Sequence, residues 1–148
     1  MRFLFLGPIA LVAARFLPEH PGISERQLLD AICQVESRGR EDCADGDGGR
    51  SIGPFQISRS YWRDAVEFEP SLGGSFDDCR KRDYAERVVR TYMRRYVPGA
   101  WERLDAPVIS RTHNGGPIGA QKPATVSYWR KVQRALLAPS AGRAAGPR

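Results

Sequence analysis

Between Ser24 and Gly39 apolar residues recur at helical spacing, and the stripe they make ends on a carboxylate. Leu28, Leu29, Ile32 and Val35 fall on one face of a 3.6-residue helix. Ser24 followed three residues later by Gln27 forms a capping box, in which each side chain satisfies a free backbone N–H of the other. Gly39 supplies a stop. Glu36 continues the inward stripe, where burial disfavours an ionised side chain, and a carboxyl that retains its proton is what general acid catalysis needs. The spacing is equally compatible with a helix that ends early and leaves Glu36 solvated. An acidic, glycine-rich turn follows, Asp45-Gly46-Asp47-Gly48-Gly49, which offers a second carboxylate in a wetter setting. Two carboxyls in contrasting environments are the arrangement used to cleave glycosidic bonds.

The remainder reads as mostly helical. Gly53, Phe55 and Ile57 alternate within Ser51–Ile57 and predict a short extended segment, which Pro54 confines to an edge or a bend. A short helix is expected over Ser60–Val66. Ser75-Phe-Asp-Asp78 is expected to cap the longest helix, about Asp78 to Tyr96, with Ala85, Val88, Val89, Tyr92, Met93 and Tyr96 inward and its arginines on a solvated face. Pro98-Gly99 is expected to end it. Asp105-Ala-Pro107 starts another helix, running to Thr112 or His113 and capped at Asn114-Gly115. Thr125 is expected to cap the last helix, with Val126, Trp129, Val132 and Leu136 inward.

The 148 residues suggest one domain, and 41% hydrophobic with 27% charged content indicates a globular chain. The net charge of +6 favours an anionic partner, but charge alone does not choose among nucleic acid, a membrane surface and a wall polymer. Three cysteines, Cys33, Cys43 and Cys79, permit one disulfide at most. With no Cys-x-x-Cys pair and only His20 and His113, neither a metal nor a cofactor is expected. Residues 1–14 resemble a secretion signal, with Val12-Ala13-Ala14 as a cleavage site, and the run is too short to span a bilayer. An N-terminal segment packed on the domain is the alternative. Residues 15–23 read as a linker, 24–137 as the domain and 138–148 as a disordered tail.

Several motifs then occur in order: Ile32-Cys-Gln-Val-Glu-Ser37, Gly53-Pro-Phe-Gln-Ile57, Tyr61-Trp62, Tyr92-Met93-x-x-Tyr96, His113-Asn-Gly-Gly-Pro117 and Tyr128-Trp129. Together they resemble the invertebrate-type lysozymes, or destabilases, over about Ala31 to Gln133. The Glu-Ser and Gly-x-x-Gln pair is also similar to lytic transglycosylases and goose-type lysozymes of the wider superfamily, which typically rely on a single Glu. The resemblance implies a mainly α lysozyme-like fold, a helical lobe with a small β-hairpin beside the cleft. It implies that Glu36 is the general acid acting between N-acetylmuramic acid and N-acetylglucosamine, with Asp47 as the second carboxylate and Asp45 the fallback. Gly53, Phe55, Gln56 and Ile57 are expected to meet the N-acetyl groups. Tyr61, His113, Asn114 and Gly115 are expected beside the cleft, and Tyr61, Trp62 and Trp129 either stack on sugars or lie in the core. The family is cysteine-dense; here positions matching common family cysteines hold Ile52 and Ala65.

The expected activity is that of a secreted, monomeric muramidase acting on bacterial peptidoglycan, with no nucleic-acid partner and no stable membrane insertion. The alternatives are a lytic transglycosylase using one Glu, and a non-catalytic cationic glycan-binding or antimicrobial protein. The isopeptidase activity credited to some destabilases is not carried over, because the chain has no nucleophile elbow.

Overall fold

In the computed structural model, which describes residues 22–138, Ser24 opens helix α1 (Glu25–Ser37) with the expected capping box. The Ser24 N–H donates to Gln27 Oε1 at 2.8 Å, and the Gln27 N–H returns to Ser24 Oγ at 3.2 Å. Arg38 ends the helix in the left-handed region at φ 59°, one residue before the expected glycine stop. Leu28, Leu29 and Ile32 are fully buried, so the stripe is the core face.

The segment after the glycine-rich loop is a hairpin and not one extended strand. Strand β1 (Ser51–Ile52) pairs antiparallel with β2 (Ile57–Ser58), Ser51 opposite Ser58 and Ile52 opposite Ile57. Gly53–Gln56 forms the turn between them, closed by the Gln56 N–H on the Gly53 carbonyl at 2.9 Å. Gly53 adopts φ 72°, and a Cβ there would collide with the Cys79 carbonyl. The apparent alternation arose because the turn itself buries Pro54 and Phe55.

Helix α2 (Arg59–Phe68) is longer than expected; its cap is Ser58, whose Oγ accepts the Tyr61 N–H at 3.3 Å. The expected helix from Asp78 to Tyr96 is two elements. The Ser75–Asp78 box caps a 3-10 segment (Phe76–Arg80), Lys81 is extended, and α3 (Arg82–Tyr96) starts after it. The break accommodates Cys79, which is wholly buried against Gly53, and Glu41 Oε1 accepts the Arg82 N–H at 2.7 Å. Pro98 does not simply end α3; it occupies the first turn of α4 (Pro98–Arg103). Helix α5 (Ala106–Gly115) starts where expected, with Asp105 as its cap and Pro107 in its first turn, but continues through Asn114 and ends at Gly116, φ 81°. Two 3-10 turns, Gly119–Gln121 and Pro123–Thr125, lead into α6 (Val126–Leu137). Thr125 makes no cap bond. Its Oγ1 lies 2.8 Å from the Gly119 and Lys122 carbonyls and accepts from Arg111 Nε at 2.9 Å, which uses the hydroxyl to close the α5–α6 connection.

One core joins the helices and hairpin, with α1 packed on α6, α2 on α3 and α5 on α6. The mainly helical architecture with a small antiparallel hairpin is the one expected. The arginines of α3 are more engaged than a solvated face requires. Glu86, 5% exposed, receives Arg82 Nε at 2.9 Å and Arg90 Nη2 at 3.1 Å, Arg90 also reaches Glu25, and Arg82 reaches Asp30, tying α3 to α1. Paired buried charge of this kind fixes the register of packed helices more than it adds stability.

All three cysteines are free thiols, Cys33 and Cys79 fully buried. No helix among the described residues is long and apolar enough to cross a membrane. The signal-like run 1–14, the linker up to residue 21 and the tail beyond Ala138 lie outside the described residues.

Candidate active site

Five elements converge on Glu36. The last turn of α1 presents its side chain, 18% exposed, beside α6 and α5. Tyr128, in the first turn of α6, donates its hydroxyl to Glu36 Oε1 at 2.7 Å. His113, near the end of α5, places Nε2 3.4 Å from the same oxygen and 3.1 Å from the Phe55 carbonyl in the hairpin turn. Its Nδ1 lies 3.2 Å from the hydroxyl of Tyr61, in the first turn of α2. Tyr61 in turn stacks on Tyr92 of α3, ring centroids 3.6 Å apart.

Hydrogen-bond complementarity fixes the proton positions. Burial, with the nearby Glu36 charge adding to it, pushes the Tyr128 phenol well above its ordinary range, so it donates. Burial does the same to Tyr61, which donates to His113 Nδ1. Nε2 then carries the imidazole hydrogen, facing two acceptors, Phe55 O and Glu36 Oε1. Oε1 is therefore held by the Tyr128 hydroxyl, with the His113 ring packed beside it. Among the described residues no donor is hydrogen-bonded to Oε2.

The other expected residues divide clearly. Tyr61 and His113 belong to the cluster, but Tyr61 is buried between Tyr92 and His113 and offers no sugar-stacking face. Phe55 and Ile57 are core side chains, fully buried or nearly so, so only their backbone can meet a substrate. Gly53 packs closely on the Cys79 carbonyl on the side where a Cβ would stand. Gln56 Nε2 donates to the Ala44 carbonyl at 3.2 Å and the Gly53 carbonyl at 2.9 Å, stapling the acidic loop to the hairpin turn. Asn114 is exposed within the last turn of α5, and Gly115 packs on Thr125 with no room for a Cβ. Trp62 is committed to structure, donating to the Tyr84 hydroxyl at 3.0 Å.

Asp47 sits on the exposed tip of the loop at φ 50°, where Ser51 Oγ donates to its Oδ2 at 3.0 Å. Asp45 is gripped by both guanidinium nitrogens of Arg80, at 2.6 and 2.9 Å, and the hydrogen bond and charge of that arginine hold its carboxyl below the usual range. Of the two, Asp47 is the less encumbered. Among the described residues no group of three His, Cys, Asp or Glu side chains is placed to hold a metal ion.

Tyr128 is the site residue that sequence reasoning did not assign. Its spacing from Val132 marks an inward position on α6, but periodicity names a face and not a partner.

Comparison with known proteins converges on one group. The sequence model of the Destabilase family matches residues 25–135. A lysozyme of Meretrix lusoria is 36% identical over 115 residues, covering 76% of this chain and 91% of that protein. A lysozyme of Ostrea edulis is 39% identical over 109 residues, covering 71% and 76%. The crystal structure of Tapes japonica lysozyme superposes with a TM-score of 0.63 at 31% identity, covering 77% of this chain and 92% of that one.

Proposed function

The chain belongs to the destabilase family, the invertebrate-type lysozymes, and from that premise we propose that it is a muramidase. It hydrolyses the β-1,4 bond between N-acetylmuramic acid and N-acetylglucosamine of bacterial peptidoglycan. One observation carries the assignment of the acid: Glu36 is a carboxyl, 18% exposed, whose Oε1 accepts the Tyr128 hydroxyl beside His113 while no donor among the described residues engages Oε2. Oε2 delivers its proton to the glycosidic oxygen as the bond to the muramic acid C1 breaks. Asp47 meets the developing oxocarbenium charge, as nucleophile or as electrostatic stabiliser. The Glu36 carboxylate then takes a proton from the water that attacks C1 and leaves a reducing end. Backbone groups of the Gly53–Ile57 turn and the exposed Asn114 bind the sugar beside this pair. The enzyme acts outside the cell that makes it; the signal-like composition of residues 1–14 and the location of the substrate support this.

Asp47 is bonded to Ser51 and is not part of the Glu36 cluster. This keeps a second reading in view, a transglycosylase in which Glu36 works alone. Digestion of purified peptidoglycan by the parent and Glu36→Gln, with the sugar ends identified by mass spectrometry, tests both. Reducing muramic ends that vanish in the variant support hydrolysis, anhydro ends support the second reading, and cleavage that persists in Glu36→Gln removes Glu36 from the chemistry.

A further inference from the structure

The net positive charge of this chain arises in one part of it. Residues 1–105 hold 16 Lys and Arg against 17 Asp and Glu, whereas residues 106–148 hold seven basic residues and no acidic one. In the fold the described part of that acid-free stretch is one wall, α5, the two 3-10 turns and α6. Past the Asp105 cap, the one carboxylate hydrogen-bonded to this wall among the described residues is Glu36, through Tyr128.

Some of the wall's cations are already used. Arg111 is held by Thr125 Oγ1 and the Lys122 carbonyl, and Lys122 Nζ by the Gly115 carbonyl. Arg130, Lys131 and Arg134 differ: all three are exposed on α6, and among the described residues no carboxylate lies within ion-pair distance of them. The one contact within this trio is Arg134 Nε on the Arg130 carbonyl at 3.3 Å. They follow Tyr128 on the same helix, so the outer face of α6 and the hydroxyl that holds Glu36 are rigidly linked.

We propose that this outer face of α6 binds a phosphate-bearing polymer attached to the bacterial wall and so holds the enzyme against its substrate. The proposal rests on the peptidoglycan reading above. Guanidinium groups match phosphate oxygens in a two-pronged geometry, and successive turns of a helix set Arg130 and Arg134 about 6 Å apart along its axis, which suits a repeating anion. A lipid surface fits less well. A helix that lies in a membrane sinks its apolar face into the lipid, whereas Tyr128, Trp129, Val132 and Leu136 of α6 are packed on the protein core and Leu137 is the one large apolar residue the helix exposes.

The test compares the full-length parent with the triple variant Arg130→Gln, Lys131→Gln, Arg134→Gln, after circular dichroism establishes equal folding. Binding is measured on phosphate-bearing walls and on the same walls stripped of phosphate polymer, across salt concentrations. Turnover is measured on a short uncharged oligomer of β-1,4-linked N-acetylglucosamine. The parent is expected to bind the phosphate-bearing walls about tenfold tighter than stripped walls. The variant loses that preference, and each lost phosphate contact takes about 1 off the slope of log affinity against log salt. Oligomer turnover stays the same. Equal binding by parent and variant overturns the proposal. So does equal affinity of the parent for both kinds of wall, which points to carboxylates of the peptide stems. Tighter, variant-sensitive binding to phosphatidylglycerol vesicles or to double-stranded DNA also overturns it. Loss of all glycan cleavage in the parent would count against the muramidase reading, and the binding comparison would still decide this one.

Discussion

The Tyr128 hydroxyl and Glu36 Oε1, 92 positions apart in the chain, meet at 2.7 Å across the contact between α6 and α1. The bond fixes which carboxylate oxygen is free to react. Tyr128→Phe keeps the ring and its packing and removes only the donor. A hydrogen bond to a charged group contributes about 1.5–3 kcal/mol. The variant is therefore expected to lose about tenfold or more in kcat with little change in KM, and to melt a few degrees below the parent. Steady-state kinetics on soluble peptidoglycan fragments checks this, and an unchanged kcat would show that Oε1 needs no anchor.

Asp47 lends itself to a clean substitution. Its backbone is left-handed, φ 50°, a conformation that asparagine adopts at least as readily as aspartate. Asp47→Asn should therefore fold normally and remove only the charge. If Asp47 supports the oxocarbenium ion, hydrolysis falls about 100-fold or more; loss of less than about threefold would place the chemistry on Glu36 alone.

Gly53 has no space for a side chain. Gly53→Ala drives a Cβ into the Cys79 carbonyl and strains a residue at φ 72°. The expected cost is about 2–4 kcal/mol, among the larger single-residue effects, because both contacting groups are backbone. Urea denaturation reads it directly. Stability within about 0.5 kcal/mol of the parent would mean that the turn and the Phe76–Arg80 segment separate easily.

Burial pushes the Cys79 thiol from an ordinary 9.0 up to about 12, with Asp78 and Asp77 adding to it. The folded state thus holds this proton more tightly than the unfolded chain does. Its contribution to stability is complete below about pH 9 and is lost as pH rises towards 12. Denaturation midpoints of the parent should fall across that window more steeply than those of Cys79→Ala. In the folded protein at neutral pH a thiol reagent should label Cys43, which is partly exposed, and spare the buried Cys33 and Cys79.

Salt screens charged surfaces that attract one another. Wall lysis is expected to fall several-fold between low and physiological ionic strength, while turnover of an uncharged oligomer stays level. Lysis that is indifferent to salt would remove any role for the protein's charge in finding its substrate.

What the sequence by itself determined was local. The Ser24–Gln27 box, the stripe of α1 ending in Glu36 and the start of a helix at Asp105-Ala-Pro107 all follow from residues within a turn or two of one another, where backbone hydrogen bonding and side-chain spacing decide the outcome. The motifs also placed Glu36, Tyr61 and His113 in one family pattern, and all three meet in the folded chain. What only the tertiary structure decided depends on residues far apart. Cys79 against Gly53 turns an apparent strand into a hairpin turn, and Glu41 on the Arg82 N–H starts α3 four residues later than Asp78 suggests. Thr125 gives up its cap to bind the Gly119–Lys122 turn and Arg111. Tyr128 lies outside the inward set expected for the last helix, and both its burial and its partner are chosen by how α6 crosses α1. A periodic pattern specifies which face of an element is buried; which atom that face meets is set by the packing of the whole chain.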